Sequence, residues 1–201
     1  MPADLPSDQP ADLPSDVPER HRPGAPLSHL AARLERAASL DPLAGAYDRI
    51  SRAVVPSAGR VRDELRGRSL GHPVHSVLTD LPVGLWTSAL ALDLTRPAGH
   101  AAAARRLVGL GLLAAPPTAL TGLADFRALS VPARRVAAVH ATCNGIGTVL
   151  ALVSWRARHA GRDGLGALLG LAGMAAAGGG AYLGGHLAQA MREPRRVPAA
   201  G

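Results

Sequence analysis

The sequence predicts an all-α, polytopic membrane protein: a four-helix transmembrane bundle preceded by amphipathic helices. Three observations carry that reading. Four apolar segments, at about 76–95, 107–125, 136–155 and 164–191, each approach or exceed the roughly 20 residues that cross a ~30 Å hydrocarbon layer. Short arginine-bearing breaks separate them: Arg96, Arg105 and Arg106; Arg127, Arg134 and Arg135; Arg156, Arg158 and Arg162. The segments also lack the continuous polar face that water demands of a soluble bundle helix.

Charge follows the same plan. The chain of 201 residues carries 22 basic side chains, every one an arginine, and a net charge of +7. Only 2% of residues are aromatic, and the arginines bracket apolar runs instead of lining one face. Nucleic-acid binding, which wants a basic face with stacking aromatics, is therefore not expected. Lipid is the expected surrounding. A single cysteine, Cys143, excludes an internal disulfide, a CxxC redox pair, a thiolate zinc cluster and a CxxCH haem attachment. It sits in an apolar run and reads as a small packing residue.

Residues 1–27 repeat PADLPSD at 2–8 and 10–16. Dense in proline and poor in large apolar groups, this stretch is expected to be a disordered acidic tail. It lacks the basic start and apolar core of a signal peptide, so insertion is expected to use the internal segments.

Residues 28–70 place Leu30, Leu34 and Ala37/Ala38 at helical spacing. Asp41-Pro42 restarts the chain into a second amphipathic stretch through Tyr47, Ile50 and Val54, and Val61 to Leu65 forms a third. Too short and too charged to span, these pieces suit helices lying on the membrane surface. A helical collar packed on the core domain is the other reading, and the two are compatible.

Within 71–191, small residues fill the fourth segment at Gly166, Gly170, Gly173, Gly178–Gly180, Gly184 and Gly185, which lets helices approach closely in lipid. Pro116-Pro117 is expected to bend the second segment. Residues 192–201 form an Arg/Pro tail. Ten arginines flank one membrane face and six the other, which favours a cytoplasmic N-terminus and a multi-pass protein of the cell membrane.

In an up-down-up-down bundle the start of helix one, end of two, start of three and end of four share one face. Those ends hold His72, His75 and Asp80; Asp125; His140 and Asn144; and His186. The opposite ends hold mainly Asp93, His100 and His159. A stripe continues below each polar group: Asp80, Gly84, Thr87/Ser88 and Ala91; Thr118, Thr121, Gly122 and Asp125; His140, Asn144, Gly147/Thr148 and Ala151; Ala175, Gly178/Gly179, Tyr182 and His186. Lipid-facing polar groups are penalised, so all four stripes are expected to point inward and His75, Asp80, His140 and His186 to share one pocket.

The run GHPVHSVLTDLPVGLWTSALALDL, with LTGLADF at 120–126, VHATCNG at 139–145 and AYLGGHL at 181–187, resembles a bacterial family of four-helix membrane domains of unknown function. The leader segment LDPLAGAYDRISRAVVP is similar as well, so the resemblance covers about residues 28–191. The family pattern is GHPxHP, and Ser76 stands here where its second proline falls. Some relatives are fused to a Rieske iron–sulfur domain, which implies a redox setting and a Rieske-type or other electron-transfer partner.

Three uses of the polar layer stay open. His75, His140 and His186 suit the axial positions of a b-type haem. The set His72, His75, Asp80, His140 and His186 suits a metal ion, a proton relay or a quinone head group. Alternatively, the residues only pack helix against helix, with Asp125 pairing Arg127 or Arg135 and with Asn144 bonding between helices. No nucleophile–base pair, phosphate loop or carboxylate pair stands out, so no catalytic residues are assigned and an enzyme is not expected.

Overall fold

The computed structural model describes residues 26–96 and 98–192; the repeat-containing tail, Pro97 and the final Arg/Pro segment lie outside them. The described chain is all-helical. Leader helices α1 (Pro26–Arg36), α2 (Asp41–Val54) and α3 (Arg60–Leu65) precede four long helices, α4 (Val74–Thr95), α5 (His100–Phe126), α6 (Val131–His159) and α7 (Asp163–Gly185). A short 3-10 turn joins α1 to α2, and a π turn, His186–Ala190, extends α7.

The four long helices, with α7 counted through its π turn, run 22 to 29 residues and are apolar enough to cross a membrane. Their outer surfaces carry leucines that water would not tolerate in such number: Leu94 and Leu113 are each 74% exposed and Leu168 67%. Lipid satisfies these side chains. The α5 helix remains continuous through Pro116 and Pro117. The irregular turn falls instead at the end of α7, where Met191 N–H donates to the His186 carbonyl five residues back.

Two tight helical hairpins make the bundle, α4 with α5 and α6 with α7. The second is the closer, because glycines remove the side chains between its backbones: a Cβ on Gly147 would stand 3.0 Å from the Gly173 carbonyl oxygen. Such close approach is how helices hold together where burial against lipid gives no drive.

The leader packs on one end of the bundle. Helix α1 lies on α6, α2 on α5 and α6, and α3 on α5. Ala31 and Ala44 are buried with Phe126, Leu129, Val136 and Leu183 in one core cluster, while Trp86, Ala89, Ala104, Val108 and Ala151 form a second cluster toward the other end. The leader is thus a collar on the domain. Its return to α4 depends on Gly67, whose φ of 91° is left-handed and whose Cβ would fall on the His72 carbonyl oxygen.

Candidate functional site

At the collar end, His75 on α4 and His140 on α6 meet across the bundle, ring centroids 6.1 Å apart and planes at 86°. Each ring is held by the neighbouring helix of its own hairpin. His75 Nδ1–H donates to the Thr118 carbonyl at 2.9 Å, and His140 Nδ1–H donates to the Gly180 carbonyl at 2.7 Å. A carbonyl only accepts, so both rings carry the proton on Nδ1 and present a lone pair at Nε2.

Glycine makes that reach possible. To touch a helical carbonyl, a ring must pass over the residue one turn further on. Those residues are Gly122 and Gly184; a Cβ there would stand 2.8 Å from His75 Cε1 and 2.9 Å from His140 Cε1 respectively. Asn144, one turn beyond His140, donates from Nδ2 to His140 Nε2 at 3.1 Å.

The other residues expected in this layer divide. His186 turns to the collar, where Nε2–H donates to Glu35 Oε1 at 2.7 Å. Asp125 is buried and faces Arg66, 3.5 Å away, in place of the Arg127 or Arg135 partner expected. Arg135 instead forks onto Asp41 at 2.6 and 3.0 Å. His72 and Asp80 are exposed. The structure therefore brings two histidines together, with Asn144 beside one of them, and directs the third histidine elsewhere. Among the described residues no three His, Cys, Asp or Glu side chains group closely enough to hold a metal ion, so the five-residue metal set is not assembled.

Two of the four stripes also turn out differently. Asp80, Gly84, Thr87, Ser88 and Ala91 all lie on the exposed side of α4. Pro82, Trp86 and Ala89 occupy the inside, because burying an indole outweighs burying small polar groups. On α7 the inward row is Gly173, Ala177 and Gly180, whereas Ala175, Gly178 and Gly179 are exposed. The stripes on α5 and α6 do face inward.

Polar side chains of the collar complete this end. Tyr47 Oη and Thr142 Oγ1 are 3.1 Å apart, and Ser51, fully buried, donates to the Leu123 carbonyl at 2.7 Å. Outside the membrane segments, the Arg135 guanidinium beside Asp41 holds that carboxyl below the usual carboxylate range. Glu35, Arg66 and Tyr47 become neighbours of the site only through the docking of the leader, which no local pattern in the sequence signals.

A deeply buried ion pair, outside the layer expected to hold the site, lies at the far end. Arg158, 1% exposed, forks onto Asp93 with Nη1–Oδ1 at 2.9 Å and Nη2–Oδ2 at 2.5 Å. Its Nε also donates to Ser154 Oγ at 3.3 Å, and Gly166 leaves the space its side chain fills. In the sequence the signal is a lone aspartate near the end of an apolar helix, and Arg158 reads as a loop residue.

Residues 71–192 match the family described as "Predicted membrane protein (DUF2231)", and because the match spans more than half of the chain, the protein belongs to that family. It is a membrane protein with four candidate spans. No curated protein matches, and no solved structure does either.

Proposed function

We propose, starting from that membership, that the protein is a membrane redox component in which His75 and His140 would hold a b-type haem. One observation carries this: two imidazoles from different hairpins approach edge to face, ring centroids 6.1 Å apart, each with Nδ1 tied to a carbonyl. That tie sets the tautomer of a ligating histidine and raises its basicity. Two imidazoles would be enough to hold such a group, and bundle interiors suit flat cofactors. When bound, a haem supplies one-electron chemistry.

The chain's own residues do the rest. Thr118 and Gly180 orient the rings, Gly122 and Gly184 give them room, and the apolar helix surfaces exclude water. Asn144 must release His140 Nε2 for that nitrogen to ligate. His186 is left out, being engaged by Glu35. A Rieske-type iron–sulfur protein is the class of electron partner this reading calls for. The arginine balance supports a cytoplasmic N-terminus; on that reading topology reporters at residue 100 and after residue 196 give opposite signals.

The Asn144–His140 hydrogen bond favours a second reading, in which the histidines only lock the hairpins together. Haemin titration of the detergent-purified full chain separates the two. The redox reading expects a one-to-one Soret band that either His75→Ala or His140→Ala abolishes and His186→Ala leaves intact. Absence of any such band in the parent protein, with thermal stability lost on Asn144→Ala, assigns the pair to structure.

A further inference from the structure

We infer that the four-helix domain is a tandem pair of one helical hairpin closed about a two-fold axis, with Asp93 and Arg158 as the positioning pair that holds the two histidine half-sites opposite each other. This arrangement needs no cofactor and is independent of the haem reading.

Spacing is the first support. His75 and His140 are 65 residues apart (140 − 75), and the ion-paired Asp93 and Arg158 are also 65 apart. The carbonyls that receive the two rings, Thr118 and Gly180, are 62 apart (180 − 118), as are the two glycines that admit them, Gly122 and Gly184 (184 − 122). One shift therefore relates α4 to α6 and another relates α5 to α7. The same hydrogen-bonded unit is built twice: a histidine on the first helix, a carbonyl on the second, and a glycine one turn beyond it.

Burial repeats with the same shifts. Pro82, Trp86 and Ala89 are the buried residues of α4; 65 further on, Gly147, Ala151 and Ser154 are buried in α6. In α5 and α7, Gly111 and Gly173, and Thr118 and Gly180, are buried 62 apart. Each copy has a buried glycine against the partner helix of its own hairpin: a Cβ on Gly111 would strike Trp86, and one on Gly173 would press on the Gly147 carbonyl oxygen and Leu150 Cβ, with Ala151 N at 3.7 Å. Periodicity alone would align two helical faces, but it would not align the chemistry at both ends.

A two-fold axis has one further signature, that residues near it meet their own equivalents. His75 meets His140 at one end and Asp93 meets Arg158 at the other. Between them Trp86, Ala151, Ala89 and Ser154 line one shared cavity of about 10 Å³, scarcely the room one water needs. Large Trp86 opposite small Ala151 fills a space that two equal residues would not. Parallel repeats about an axis along the membrane normal are an established plan for membrane domains.

The equivalence assigns a role to the far-end pair. Had both copies kept the same residue there, two like charges or two gaps would face each other. Aspartate in one copy and arginine in the other fix the hairpins in a single register, and that register sets His75 against His140. Whatever occupies the histidines receives one imidazole from each repeat.

Exchange of positions tests the symmetry. In a Cys143→Ala background, spin labels at residues 84 and 153 form one pair, and labels at 88 and 149 form the pair the axis exchanges with it. All four sites are exposed, so labelling leaves the core alone. The two distance distributions are expected to superimpose; peaks differing by more than half a helical turn, about 2.7 Å, overturn the repeat. For the positioning pair, Asp93→Asn and Arg158→Gln each lower the thermal midpoint in detergent. The exchanged variant, Asp93→Arg with Arg158→Asp, Ala89→Ser and Ala104→Gly, moves the arginine and its seat to the equivalent place. It is expected to regain at least half of the lost midpoint. Remaining at or below the single variants removes the pair's positioning role. No ligand enters either measurement, so their failure and the failure of the haem reading are distinguishable.

Discussion

The two ends of the bundle bury their polar groups by opposite means. At the collar end the histidines are served by backbone carbonyls, and the charged residues around them are paired with the leader: Arg66 with Asp125, Glu35 with His186 and Asp41 with Arg135. At the far end none of the described leader helices makes its main contacts, and one bidentate pair, Arg158 with Asp93, satisfies itself inside the bundle. A neutral imidazole asks only for an acceptor, which a helix next to a glycine already offers. A guanidinium away from water requires its counter-charge, so it must bring a partner from another helix. Each polar group at the collar end therefore has its own local partner, whereas the far end holds only as a pair.

Halving the far-end pair is expected to have the largest effect. Asp93→Ala leaves a buried guanidinium uncompensated and is expected to cost roughly 3–5 kcal/mol, read as a lowered thermal midpoint in detergent. The double variant Asp93→Leu with Arg158→Leu is expected to cost less than the single one. A single variant of unchanged stability would mean that Arg158 reaches lipid phosphates, and the contrast between the ends would fall.

Next in size come the glycines beneath the rings. Gly122→Ala and Gly184→Ala each place a methyl 2.8 to 2.9 Å from a histidine carbon, so the ring must move off its carbonyl. Overpacking of this kind costs roughly 1–3 kcal/mol, and the two variants should behave alike. Histidine side-chain NMR reads the lost Nδ1 hydrogen bond directly. Gly178→Ala, which meets open space, serves as the control.

His186→Ala sharpens the comparison from the collar side. The pair with Glu35 is partly exposed and contributes about 0–1 kcal/mol, so global stability should hardly change. Faster proteolysis within α1 and α2 is the expected result, with the His75–His140 pair undisturbed. Loss of the Soret band on this substitution would restore His186 to the ligand set.

The smallest effect is the acid response of the collar. Because the Arg135 hydrogen bond lowers the Asp41 carboxyl, its contribution is fully present above the ordinary value of 3.8 and is lost as pH falls through the lower folded value. Proteolysis of the leader should therefore rise below about pH 3.8. Asp41→Asn should remove that component, leaving whatever other carboxylates contribute.

The sequence by itself determined the membrane character, the four spans and the short leader helices, because length and apolarity decide spanning without reference to packing. It also placed His75, Asp125, His140, Asn144 and His186 at one end, since helix direction follows from chain order alone. Rotation about each helix axis was not legible. The α4 helix carries both a polar stripe and an apolar one, and only the fit of Trp86 against Gly111 and Ala151 chose which faces inward. The same holds for His186, drawn to Glu35 by a leader whose docking no local pattern specifies, and for Arg158, which reads as a flanking arginine until Asp93 stands opposite it. Direction along a helix is a property of the chain. The face a helix presents is a property of its neighbours, and those are settled only when all four helices and the collar pack at once.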